Sequence, residues 1–353
     1  MNSDATIVSF HNLRRLPAVS GILLLSVALI VAAGYRTPVL SQGWLLAFAI
    51  WSCVPIGSMI LLLIHSLTGG QWGTATAAML RPSAALCAAV AIAFLPMLTT
   101  SGQLYPWALD GSHIAHDVGR WYLNWASYAL RAAVALGGWC VLGITFALAK
   151  GGRLLAALGL AFYGATISLV AVDWFLSVEP HYVATAFPAM IAIQQLAATL
   201  AFVALLTAPT LDESAASDVG ALLLAVLLGV VYLEFMTYVV AWYGDLPDKA
   251  AWYLKRSSPG WAATIVIAFA LGAALPFCIL IVGKCRRSRY GLQSAGILVL
   301  LGSVLHFCWL IVPAFDQQDA VLTCGMGALV ALGMSSFLIG AALSPALEAQ
   351  HAE

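Results

Sequence analysis

Arg131, Asp173, Glu234 and His306 lie inside, or at the edge of, apolar stretches long enough to cross a membrane. An ionised side chain in hydrocarbon costs a few kcal/mol or more. Such residues therefore face a protein interior, find a partner there and commonly serve ion or proton paths. Asn124, Tyr128 and Arg131 are spaced four and then three apart, which puts them on one helical face. Arg131 stands about ten residues into its stretch, a depth that favours a buried partner over an outward snorkel. Asp173 opens the run Asp173-Trp174-Phe175-Leu176-Ser177-Val178-Glu179-Pro180-His181, with Thr166 on the same face and Pro180 ending the helix. Asp173, Glu179 and His181 together could pass protons or hold a polar headgroup. Taken alone, Glu179 and His181 also read as a solvated helix end. Glu234, with Tyr238 four residues on, must be ion-paired or protonated by desolvation, and Arg131 is the best candidate partner.

His306 has Ser303 three residues before it, and His65 closes an earlier apolar stretch. A bis-histidine haem needs two imidazoles facing each other at similar depth. His65 falls near the inner face and His306 in the outer half, so no haem is expected. The seven cysteines form no CxxC or CxxCH, which leaves no spacing for a c-type haem, an iron–sulfur cluster or zinc. No metal site is expected.

The elements that must position these groups follow from composition. Of 353 residues, 62% are hydrophobic and 8% charged, and the net charge is zero. Soluble domains carry roughly 25% charged residues. This chain reads instead as an all-α polytopic membrane protein forming one integral membrane domain, and its neutrality argues against a nucleic-acid partner. Ten spans are expected, near 17–34, 43–66, 82–98, 121–148, 154–177, 182–206, 220–242, 260–284, 294–313 and 321–342. Gly69-Gly70, Arg81-Pro82, Gly151-Gly152, Glu179-Pro180, Ser258-Pro259-Gly260 and Pro313 punctuate them. Arg14-Arg15 followed by an apolar run imitates a secretory signal. An uncleaved first span is preferred, because it fits the charge bias.

With the first residue inside, the inner segments hold Arg14, Arg15, Arg81, Lys150, Arg153, Lys284, Arg286, Arg287 and Arg289. The outer loops hold Arg36, Arg120, Lys249, Lys255 and Arg256. The excess inside places both termini in the cytoplasm. Arg131, Asp173, Glu179, His181, Glu234 and His306 then gather in the outer half, with His65 alone on the inner side. Such a one-sided polar set is what a quinol oxidation site or a proton exit would need. Ser58, Ser66, Gln194 and Gln195 are the sparse polar groups toward the inside. The outer loops 99–120 (Tyr105, Trp107, His113, His116, Asp117) and 242–261 (Trp242, Tyr243, Trp252, Tyr253) read either as an aromatic belt or as a lid or docking surface. Residues 212–218 read as a short acidic inner loop.

Several segments together resemble one family. They are His65-Ser66-Leu67-Thr68-Gly69-Gly70-Gln71-Trp72, Leu104-Tyr105-Pro106-Trp107, Asp173 to His181, Tyr232-Leu233-Glu234-Phe235-Met236, and Trp242-Tyr243-Gly244-Asp245-Leu246-Pro247 with Trp252-Tyr253. Over about residues 43–313 the chain is similar to the smaller NrfD/PsrC-like membrane subunit of alternative complex III, the quinol:cytochrome c oxidoreductase quinone-binding subunit 2. The resemblance implies ten helices around two four-helix bundles. It also implies a bacterial inner-membrane respiratory complex with a sister subunit, an iron–sulfur subunit and c-haem subunits, and no redox centre in this chain. Asp173, Glu179, His181 and His65 fall on the family's polar positions. Glu234 stands where a less acidic residue is usual. Ala274-Leu275-Pro276-Phe277 keeps the family's Pro-Phe without a histidine before it, and the tenth span carries no signature.

The expected function is therefore a non-redox-centre subunit of a quinol-oxidising complex. Arg131, Asp173 and His181 are the quinone candidates. Asp173, Glu179, His181, Glu234, His306 and His65 are the proton-transfer candidates. The alternatives are a free-standing proton-coupled transporter, for which no paired half-length repeat with interrupted helices is visible, and a structural anchor without a site.

Overall fold

The computed structural model describes residues 38–110, 115–244, 246–315 and 317–350, with side chains described for these except at 317 and 337–350. The expected first span at 17–34, and Arg14, Arg15, Arg36, His113 and Asp245, lie outside the described residues. The described residues are 87% helical, without a strand among them, and eight helices there are long and apolar enough to cross a membrane.

Helix α1 spans Val39–Thr68 and turns at Gly69 and Gly70, whose φ values of 72° and 105° suit glycine. Helix α2, Gln71–Thr99, starts eleven residues before the expected boundary at Pro82. Trp72, Thr76, Met79, Leu80 and Ser83 make a buried stripe there, while the polar Gln71, Thr74 and Arg81 face outward. Pro82 does not start the helix. It precedes a break at Leu86 that divides α2 into Gln71–Ala85 and Cys87–Thr99. Helices α3 (Trp125–Ala147), α4 (Arg153–Val178), α5 (Phe187–Thr207) and α6 (Glu213–Tyr243) follow. The acidic stretch expected as a loop is instead the cap and first turn of α6. Asp212 accepts from the Ala215 amide at 2.7 Å, and Glu213 favours the positive end of the helix dipole. A short helix α7, Pro247–Lys255, lies in the next connection. Helices α8 (Pro259–Ile281), α9 (Arg289–Ala314) and α10 (Ala320–Gln350) complete the chain.

Two four-helix bundles result: α1–α4, and α5, α6, α8 and α9. Helix α1 is central and almost wholly buried, packed against α2, α3, α4, α5 and α10. The bundles meet where α5 crosses α1 at Gly57. A Cβ there would lie 2.1 Å from Thr199 Oγ1, so only glycine fits. Thr199 donates to the Gln195 carbonyl at 2.8 Å and approaches the Cys53 carbonyl at 3.1 Å. Helix α10 packs along α1 and α2, and its Thr323 hydroxyl donates to Gln42 Oε1 at 3.2 Å.

Helix α8 contains a π turn at Ala270–Ala274. Pro276 has no N–H for the Gly272 carbonyl, so the helix repeat is already broken there. Gly302 of α9 packs on this turn so closely that a Cβ would fall 2.2 Å from Gly272 Cα.

Candidate functional site

The intramembrane charges form two pairs, Arg131 with Asp173 and His306 with Glu234, in place of the expected pairing of Arg131 with Glu234. Arg131 binds Asp173, with Nε donating to Oδ2 at 2.6 Å and Nη2 to Oδ1 at 3.0 Å. Nη2 also donates to the Tyr122 carbonyl at 2.9 Å, and the guanidinium lies 3.8 Å from the Tyr122 ring centroid. This is the side-on, bidentate arrangement that a planar guanidinium makes with a carboxylate. The Asp173 side chain has no exposed surface.

The register explains the pairing. Helix α3 begins at Trp125, capped by the Asn124 side chain on the Ser127 amide at 2.9 Å. Arg131 is thus six residues in, about 9 Å, rather than ten. That is level with Asp173, one residue before the α-helical part of α4 ends at Trp174. Asn124 and Tyr128, expected on one helical face with Arg131, cap the helix and pack its core.

Around this pair the first bundle is filled with aromatic rings. Phe48, Phe94, Trp139 and Trp174 are fully buried or nearly so. Tyr105 donates to the Trp174 carbonyl and shares a hydrogen bond with Tyr128, both at 3.1 Å. Burial pushes the Tyr122 phenol up to about 12, and the Asp173 charge adds to this. Burial likewise raises the Tyr105 phenol. Thr166 accepts from Trp139 Nε1 at 3.0 Å, a structural role. Of the three quinone candidates, Arg131 and Asp173 are occupied by each other, and His181 is an exposed residue of the following loop.

Glu234 does not meet Arg131. Its partner is His306, with Nε2 3.2 Å from Oε1. That is an ion-pair distance, but Oε1 makes no hydrogen bond of good geometry. The pair lies in the second bundle beside a cavity of about 450 Å³ between α5, α6, α8 and α9, with Tyr253 of α7 at its edge. Gln194, Ser303 and Trp309 add polar atoms to walls that are otherwise apolar. Glu234 keeps 26% of its side-chain surface free beside this space, whereas His306 keeps 7%.

A third cluster covers the same end of the molecule. Glu179 binds Arg256 Nη2 through Oε2 at 2.5 Å and Lys255 Nζ through Oε1 at 3.0 Å. Arg256 also donates to the carbonyls of Leu310, Trp252 and Trp309, and lies 3.7 Å from the Trp252 ring centroid. Trp252 in turn stacks on Tyr182, with centroids 4.4 Å apart. Burial alone would raise the Glu179 carboxyl, but Arg256 and Lys255 outweigh it and hold Glu179 below the ordinary carboxylate value. Burial lowers Arg256, opposed by Glu179. Burial also raises the phenols of Tyr182 and Tyr253. His181 and Glu179 line a pocket of about 400 Å³ at this end with Asp248 and Lys255.

His65 is at the opposite end. Arg153, at the start of α4, donates to the Leu67 carbonyl, whereas Asp173 is at the far end of α4. His65 Nε2 lies 3.1 Å from the Gly70 carbonyl, and its ring meets Trp72 edge-on. Gln195 accepts from Tyr163 at 2.6 Å, and Ser58 is fully buried. Among the described residues no three His, Cys, Asp or Glu side chains converge on a metal position.

Sequence reasoning missed Arg256, taken as a loop charge, and the covering role of α7. A signal existed. Trp121-Tyr122-Leu123 and Trp252-Tyr253-Leu254 recur in the connections between the second and third helices of the two bundles. Tyr122 lies under Arg131, and Trp252 under Arg256. The chain matches no protein-family model, and no curated protein matches it significantly. Architecture defines its class: it is an all-α, multi-pass membrane protein whose apolar outer faces contact lipid.

Proposed function

We propose that this chain is a membrane subunit of a bacterial respiratory complex that oxidises quinol, and that Glu234 and His306 exchange the protons this reaction releases. The observation that carries the reading is a carboxylate and an imidazole 3.2 Å apart beside an apolar cavity of about 450 Å³. Oxidation of a quinol frees two protons and two electrons. In this reading redox centres on partner subunits take the electrons, and a carboxylate–imidazole pair receives protons beside the membrane-soluble reactant. Glu179 and His181, at the outer pocket, stand where protons would leave.

The Arg131–Asp173 pair has a different part. Both carboxylate oxygens of Asp173 already accept from Arg131, so the pair locks α3 to α4 rather than relaying protons at rest. The excess of Lys and Arg at the end bearing Arg153 and Arg286 supports placing that end in the cytoplasm.

The test is quinol oxidation by membranes from cells in which variants replace the native chain. Glu234→Gln is expected to lower the rate at least tenfold with the assembly intact. Asp173→Asn, if assembled, is expected to keep the rate. An unchanged rate in Glu234→Gln removes the proton role.

A further inference from the structure

We infer that the cavity of the second bundle is a lateral binding site for a neutral ring-headed isoprenoid of the quinol/quinone class, entered from the bilayer between α6 and α8. The site is not the one formed by Arg131, Asp173 and His181. The inference rests on the proposed function for the identity of the ring, and on the geometry for the rest.

The opening comes from the way α8 is built. Helix α6 packs on α8 through the π turn and the segment Leu275–Ile281, and hardly at all through Pro259–Phe269. The two helices therefore part toward the Tyr243 end. Phe235 and Tyr238 of α6, and Val266 and Phe269 of α8, line the cavity and are also 61%, 49%, 66% and 50% exposed. Residues that belong at once to a cavity wall and to the lipid-facing surface mark a doorway between the two.

The polar groups inside are placed for a ligand. The Trp309 indole N–H is buried without a hydrogen-bond partner in the protein, Glu234 Oε1 lies 3.2 Å from His306 Nε2 without a hydrogen bond of good geometry, and both side chains line the cavity. Orphaned buried polar atoms are rare and call for an explanation. A quinol hydroxyl supplies one, since it can donate to the carboxylate and accept from an indole N–H.

The walls also choose between amphiphiles. No Lys or Arg lines the cavity, and Glu234 would repel a phosphate, so a phospholipid headgroup is disfavoured. The rings of Tyr253, Trp309 and Phe269 offer faces and edges to a planar head. About 450 Å³ falls in the size range of small-molecule sites, roughly 300–1,000 Å³.

The experiment uses the full chain in its native assembly in nanodiscs, with an azido-benzoquinone carrying a short isoprenoid tail as the photoprobe. Labelled residues are mapped by mass spectrometry. Labelling is expected on α6 and α8 near Phe235, Tyr238 and Phe269, with no competition from excess phospholipid. Glu234→Gln should weaken it about tenfold. Ser303→Phe, which fills the cavity, should abolish it, and Ala273→Leu is a second filling variant should the first not assemble. Labelling confined to residues 122–181, labelling that survives both filling variants, or equal competition by phospholipid would each overturn the site. Labelling is scored whether or not partners co-purify, so failure of the respiratory-complex reading is detected separately.

Discussion

Removing Arg131 should expose how much of the fold hangs on one buried pair. The guanidinium and carboxylate are about 3 Å apart, and the Asp173 side chain has no exposed surface. At an effective dielectric near 20, two unit charges at that separation attract by about 5–6 kcal/mol. Desolvation offsets much of this attraction, so the intact pair adds little net stability. Breaking it is different. Arg131→Met leaves a buried carboxylate with no cation beside it, and should cost about 3–5 kcal/mol. The double variant Arg131→Met with Asp173→Leu removes both charges and should return to within about 1–2 kcal/mol of the wild type. The assay is reversible unfolding in mixed micelles, with free energies from the denaturant titration of all four proteins. A loss below about 1 kcal/mol in Arg131→Met, or a double variant as unstable as the sum of the singles, would refute the closed-pair description.

Other substitutions probe the remaining contacts. Gly302→Ala should destabilise more than Gly272→Ala, by about 1–3 kcal/mol. The new Cβ at 302 falls 2.2 Å from backbone, and that at 272 falls 3.3 Å from it. The same micelle titration would show it. Glu179 binds its proton less readily folded than unfolded, so its contribution is present above the unfolded value near 4.5 and lost as pH falls through the lower folded value. Thermal midpoints of the wild type should therefore fall more steeply below pH 4.5 than those of Glu179→Gln. Arg256→Lys keeps the charge but loses the fork and the Trp252 stacking, and should lower stability by about 2 kcal/mol. Quenching of Trp252 fluorescence by iodide would report the loosened α7.

The helices were legible because unbroken apolar runs leave few other readings. Where the expectation was wrong, polar residues sat on one face of a real helix. Gln71 and Arg81 hid the first turns of α2, and Asp212 and Glu213 hid the start of α6. The charged residues were legible as buried, since composition alone makes them conspicuous. Their partners were not. A four-residue error in the start of α3 moved Arg131 deeper by about 6 Å, toward Glu234 and away from Asp173. Bundle membership decides the matter, because α3 and α4 share one bundle and α6 and α9 the other. The cavity depends on a π turn that no apolar pattern announces. Arg256 looked like a surface charge because its burial comes from α7 folding back onto the ends of α4 and α9.

The central claim is that this chain works as part of a quinol-oxidising assembly. The most direct measurement is purification of the tagged full chain from its native membrane in mild detergent, with the co-eluting proteins identified and quinol oxidation assayed on the same fraction. The account predicts stoichiometric partners that carry redox centres, and quinol-dependent electron transfer in that fraction. A chain that elutes alone, moves a solute or protons by itself and shows no quinol-dependent activity with any co-eluting protein would contradict it.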